Sequence, residues 1–381
     1  MARLKFRIPW PPLRLRLPWP RRRATRDESR WGRIADDTPP TRRRRLLLVA
    51  AGATAVLILG ATAWGVLKHH PSASKQPPAF DPSNGIIIPV PPRPVPAESD
   101  TGNTEIPLYN QPLVLEPAPV DGLTSNSAQG LLPKIGDDGR KPLSVYSRPF
   151  AVTDKHPRIS IIVGEVGLSN AVTQGAIDVL PGEITLAFTP YTDRLQGWID
   201  NARSHGHEVL LTLPMEPTTY PHDDPGPNTL LTSLPPERNQ ERLAWTLSRA
   251  TGYVGLLGLT GSRFAADAES LRPILQSIKQ SGLLYVEAAT GPGSVAVSLA
   301  TTIKLPRAIS DMLIGESPAA PAINRQLAVL EEIARSEGTA VAVAIPYPVT
   351  FQCLAEWLPS LRAKGIALAP VSAVTARQPD R

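Results

Sequence analysis

ISIIVGEVG, residues 159–167, is the stretch from which the fold is read. Its first five residues are an apolar run interrupted only by Ser160, as expected of a strand buried on both faces; such strands belong to parallel sheets covered by helices. Working outward, Ser169 is placed to cap a helix running to about Leu180, where Pro181-Gly182 stops it. Ile184–Phe188 reads as the next strand. Leu195, Trp198, Ile199 and Ala202 then fall on one helical face, ended by Gly206. Glu208–Leu213, Val254–Leu257, Leu283–Ala288, Ile309–Ile314, Val341–Ile345 and Ile366–Ala369 are further strand candidates. Helices are expected near Glu237–Ala250, around Leu271, Ile274, Leu275 and Ile278, and near Ala322–Ser336 and Thr350–Arg362. This alternation predicts a parallel α/β architecture. A closed or nearly closed barrel is the first expectation and a doubly wound open sheet the alternative. Either way, function belongs at the C-terminal ends of the strands.

Upstream the texture is different. Leu46–Leu67 holds 22 residues without a charge, about 33 Å as a helix, enough to cross a ~30 Å hydrocarbon core. Arg42–Arg45 abuts its start, so the positive-inside bias places the N-terminus in the cytoplasm and the rest of the chain outside. Ala61-Thr62-Ala63 offers a competing cleavage site, but the run exceeds the roughly 7–15 apolar residues of a signal peptide, and an uncleaved anchor is expected. Residues 71–150 contain 16 of the chain's 43 prolines, and such composition buries too little apolar surface to offset its ordering entropy. The expected organisation is a basic tail (1–45), a membrane helix (46–67), a Pro-rich disordered spacer (68–155), a globular domain (156–376) and a short tail (377–381).

The net charge of +6 does not signal nucleic acid. Residues 1–45 carry 15 Lys/Arg and four acids, so the remaining chain is at −5, with no footprint for a phosphate backbone. The single cysteine, Cys353, excludes an intramolecular disulfide framework and any multi-cysteine zinc cluster.

Seven pieces recur in order along the domain: ITLAFTPY (184–191), GHEVLLTLPMEP (206–217), PGPNTL (225–230), GSRF (261–264), SVAVSLA (294–300), PYP (346–348) and IALAPVSAV (366–374). Together they resemble the divergent polysaccharide deacetylases over about residues 157–376. The resemblance implies a distorted (β/α)7-type barrel and, in typical relatives, metal-assisted hydrolysis of acetyl groups. It also marks departures. Where typical relatives place Asp-Asp after the first strand, this chain has Gly164-Glu165; where they place Asn-His it has Gly258-Leu259. Their Asp-Ser-Arg is Glu287-Ala288-Ala289, the His before Pro-Tyr-Pro is Ile345, and a His before Leu-Pro-Met-Glu-Pro is Thr212. Leu and Ile offer no lone pair to a metal, so no metal ligand is assigned and no cofactor is expected.

Glu165 and Glu287 keep carboxylates at two of these positions and are the catalytic candidates, Glu165 as a metal-free general base. His207, Glu216, Arg263 and Tyr347 are the ligand-binding candidates. Each has a plainer alternative. His205-Gly206-His207 could chelate zinc or could be ordinary strand-entry residues, and Glu216 could orient a sugar hydroxyl or bond its own loop. Arg263 could contact ligand or pair with Asp267, four residues on. The expected function is a membrane-anchored domain of the cell envelope, extracytoplasmic on the inner (plasma) membrane. It would bind envelope polysaccharide or an envelope protein without metal-dependent deacetylation. The alternatives are an active carbohydrate deacetylase with a rearranged site and an interaction scaffold.

Overall fold

The computed structural model describes residues 113–378, apart from 152, 289–292 and 376. The basic tail, the apolar segment 46–67 and the spacer as far as residue 112 lie outside the described residues. Among those described, no helix is long and apolar enough to cross a membrane.

A hairpin, β1 (Thr124–Ser127) and β2 (Gly130–Pro133), and a short helix, α1 (Pro142–Tyr146), come first. Strands and helices then alternate. β3 (Arg158–Val166) leads to α2 (Asn170–Val179), and β4 (Thr185–Phe188) to α3 (Leu195–Ser204). β5 (Val209–Thr212) leads to α4 (Pro236–Leu247), and β6 (Gly255–Gly258) to α5 (Ser262–Ala266) and α6 (Ala268–Gln280). β7 (Leu284–Glu287) and α7 (Ala296–Thr302) precede the short β8 (Arg307–Ile309) and β9 (Met312–Ile314). α8 (Ala320–Glu337), β10 (Thr339–Ala344), α9 (Pro348–Trp357), α10 (Ser360–Ala363) and β11 (Ala367–Leu368) complete the series. The helix expected over Thr350–Arg362 is thus two helices, divided at Leu358-Pro359.

The parallel strands run in the order β8-β7-β6-β5-β4-β3-β10-β9, with β11 beside β3. β8 and β9 are halves of one stretch: the first pairs with β7, the second with β10. Between them Ser310 N donates to Glu287 O at 2.8 Å and Asp311 N to Val341 O at 2.7 Å. Both edges of the sheet meet in this segment, so the sheet curls round on itself as in a TIM-like barrel rather than lying open. Successive side chains alternate across it. Ile161, Val163, Leu186, Leu211, Leu256 and Tyr285 pack with the helices. Ile162, Ala187, Leu210, Leu257, Val286 and Val343 fill the interior.

The interior cluster also contains Leu123 and Tyr146, with Val120, Leu143 and Phe150 packed against it. The stretch 113–155, expected to belong to a disordered spacer, is therefore part of the fold. The physical reason is that buried arginines and glutamates of the barrel side satisfy its polar groups. Arg203, 2% exposed, donates to Tyr146 O (2.9 Å), Gly252 O (2.8 Å) and Glu116 O (2.6 Å), and stacks on the Tyr146 ring. Arg158 reaches Asp154 O at 3.0 Å and lies over the Phe150 ring. Arg148 forms a buried pair with Glu183 at 2.7 Å, and its amide donates to Glu208 Oε1. The segment closes the N-terminal end of the barrel and leaves the C-terminal end open.

Candidate functional site

The C-terminal ends of β3, β4, β5 and β6 surround a cleft of about 440 Å³. Its residues come from the last residues of these strands and the loops after them: Glu165; Thr189, Pro190 and Tyr191; Thr212, Pro214, Pro217, Thr219, Asp223, Asp224 and Pro225; and Thr260. The loop after β5 is held in shape by its own backbone and by Tyr191 from the loop after β4. Met215 bridges Leu230, and Tyr191 Oη accepts from Asn228 N at 3.0 Å. Gly261 permits the turn into α5: its φ is +117°, and a Cβ there would stand 2.4 Å from Met215 Cβ.

Glu165 is set into the cleft by an irregularity. The pairing of β3 with β4 slips between Val163 and Val166, and Glu165 takes a left-handed backbone, φ 51°, uncommon for a residue with a side chain. The bulge turns its carboxylate outward into the recess, where partial desolvation raises its pKa above the ordinary glutamate value. Thr212 shares the parity of interior-facing Leu210 and is 8% exposed, and its Oγ1 is buried without a hydrogen-bond partner.

The structure separates the remaining candidates from this one. His207 lies at the entry to β5, at the opposite end of the barrel and fully buried. Its Nδ1 faces Ile184 O at 2.8 Å and Nε2 faces Ile177 O at 3.3 Å. Burial lowers its pKa to about 4, so the ring is neutral at pH 7. His205 faces Asn201 O from the surface, and the H-x-H pair makes no joint site. Glu287 ends β7 two residues after helix-facing Tyr285, so alternation places it on the helix side, 4% exposed, away from the cleft.

Glu216 is buried beneath its loop. Its Oε2 accepts from Thr232 N (2.7 Å) and Oγ1 (2.8 Å), and its Oε1 from Arg263 Nη1 (3.2 Å). Arg263 also donates to Thr218 O, so its partner is Glu216 and not Asp267, which instead caps α6 through Ser270 N. Both residues tie loops together beside the cleft. Tyr347, 42% exposed, is the residue before α9 and is not among the cleft residues.

The positions that departed from the typical deacetylase pattern form an apolar contact. A Cβ on Gly164 would meet Val343 at 3.3 Å and Leu259 Cδ2 at 3.4 Å. A leucine side chain thus packs against the strand where typical relatives converge an Asp and a His. Ile345 continues the interior parity of Val341 and Val343 at the same end. These residues do not fit a divalent ion, and among the described residues no three of His, Cys, Asp or Glu come together to hold one. Sequence reasoning does not single out Thr189, and His222-Asp223-Asp224, between Pro221 and Pro225, reads equally well as a solvated turn. The available signal for Thr189 and Thr260 is their place just beyond the ends of β4 and β6.

Comparison with known proteins matches this fold and motif order. The sequence profile of the divergent polysaccharide deacetylases matches residues 161–375. An uncharacterized protein of Haemophilus influenzae is 23% identical over 204 residues, 54% of this chain and 72% of its own length. The uncharacterized protein YibQ of Escherichia coli is 20% identical over 204 residues, covering 63% of its length. The crystal structure of ATU2773, an uncharacterized protein of Agrobacterium tumefaciens, is similar with a TM-score of 0.63 and 36% identity, covering 64% of this chain and 99% of that one. With its curled parallel sheet, its ordered motifs and a profile match over more than half its length, the chain belongs to the divergent polysaccharide deacetylase family.

Proposed function

We propose that this domain binds cell-envelope glycan in the cleft above β3–β6 and does not carry out metal-dependent deacetylation. The barrel would be of the distorted (β/α)7 type typical of the deacetylases. Residues 46–67 would anchor the chain in the inner membrane, with the N-terminus cytoplasmic and the domain on the outer side. The observation that carries the reading is the packing of Leu259 against Gly164 where metal ligands stand in typical relatives. A catalytic zinc site generally takes about three N, O or S ligands. The presence of Thr189, Thr212 and Thr260 among the cleft residues supports recognition of a hydroxyl-rich ligand.

Elemental analysis combined with acetate release from acetylated chitooligosaccharides tests this. Purified protein is expected to carry substoichiometric zinc and to release no acetate when Zn²⁺, Co²⁺ or Mn²⁺ is added. Stoichiometric metal, with acetate release abolished by Glu165→Ala, would overturn the reading. A second reading, hydrolysis by Glu165 as a metal-free general base, is favoured by its strained backbone and raised carboxyl pKa. Acetate release in chelator, lost in Glu165→Gln, would select it.

A further inference from the structure

The charge of the cleft narrows the ligand further. It is lined by three carboxylates, Glu165, Asp223 and Asp224, and by no Lys, Arg or His. The arginines that approach its walls are committed elsewhere. Arg249 Nε donates to Pro190 O at 2.9 Å with its guanidinium over Trp245, Arg242 donates to Thr229 O, and Arg263 pairs with Glu216. Among the described residues, the cleft lining itself therefore offers these acids no cationic partner. A shared metal ion does not explain them either, because among the described residues no three ligating side chains gather closely enough. Carboxylates spread along a recess suit several separate positive charges on one extended ligand.

Thr212 adds an independent indication. It is 8% exposed and opens onto the same cleft, and its buried Oγ1 has no partner in the protein. Buried polar groups are nearly always hydrogen-bonded, so an unmatched hydroxyl on a residue lining the recess is a place where an entering ligand can supply the missing partner. Acids on the loops with hydroxyls beneath describe a ligand bearing both ammonium and hydroxyl groups.

We propose that the cleft takes a cationic glycan, an oligosaccharide of amino sugars with free ammonium groups, in preference to its N-acetylated counterpart. The proposal rests on the reading of the cleft as a glycan site and gives that site a substrate class. Neutralising Glu165 and Asp223 removes attraction without removing shape, and Thr212→Val removes the hydroxyl at nearly constant volume.

The test is calorimetric titration of the purified full chain with a glucosamine pentasaccharide, its fully N-acetylated counterpart and spermine, at a pH where the amines are protonated. The amino pentasaccharide is expected to bind at least about tenfold more tightly than the acetylated one, since two or three ion pairs are gained. Its affinity should fall from low to physiological salt. The double variant Glu165→Gln/Asp223→Asn should lose roughly fivefold toward the amino sugar and nothing toward the acetylated one. Thr212→Val should weaken the amino sugar at an unchanged melting temperature. Equal, salt-independent binding of both pentasaccharides would overturn the cationic preference while leaving the glycan site standing. Binding of neither would overturn both. Binding of spermine alone would overturn the glycan reading and recast the cleft as a polyamine site. If the double variant does not fold, the salt dependence and the amine-to-acetyl ratio of the native chain decide the matter.

Discussion

His207 and Glu208 are neighbours, both buried, and they titrate in opposite senses. Burial lowers the His207 pKa from 6.5 to about 4, so its contribution to stability is present above 6.5 and lost as pH falls toward 4. Burial raises the Glu208 pKa from 4.5 to about 6, so its contribution is present below 4.5 and lost as pH rises through 6. At 1.36 kcal/mol per unit these are on the order of 3 and 2 kcal/mol, and they nearly cancel in one window. Glu208→Gln should therefore make stability rise with pH between about 4.5 and 6 more steeply than in the native protein, by roughly 2 kcal/mol. Urea unfolding at three pH values across the window reads this; an unchanged slope would show that Glu208 does not titrate there. At this scale the sequence was partly legible. His207 and Glu287 invite a chemical reading because of their types, yet their places in the strand periodicity settle their surroundings. Glu287 stands two residues from an apolar helix-facing Tyr, and His207 lies before β5 rather than after it.

The element that sequence reading missed is the segment 113–155. It lacks an apolar stripe of its own, since Leu115, Leu123 and Tyr146 are scattered among prolines and charges. What holds it is the supply of donors from Arg203 and Arg158, with Glu208 accepting from the segment's own Arg148 amide, and no periodicity records a guanidinium aimed at a distant carbonyl. The alternating strands and helices were legible for the opposite reason: their apolar residues repeat locally. Arg203→Met should leave carbonyls of Glu116, Tyr146 and Gly252 buried without donors, at roughly 1–3 kcal/mol for each that stays dry. A fall in melting temperature of at least about 6 °C is expected, taking 2–4 °C per kcal/mol. Limited proteolysis should cut at the exposed turn around Asp137-Asp138 sooner than in the native chain. A variant as stable and protease-resistant as the native protein would show that the apolar plug alone holds the segment.

For the whole molecule, the charge asymmetry around residues 46–67 yields a prediction of topology. A reporter fused at the C-terminus should be active outside the cytoplasm, and the protein should stay with membranes through a carbonate wash. A soluble fragment beginning near Trp64 would identify a cleaved signal instead. The folded unit has its own boundary problem. The family match begins at residue 161, whereas the interior of the barrel is closed by residues from well before it. A guanidinium can donate to any peptide carbonyl, so these contacts fix the path of the plugging segment without specifying its side chains. The family match therefore begins inside the first strand although the folded structure continues upstream. A truncation begun where the family match begins would cut through the molecule's own floor.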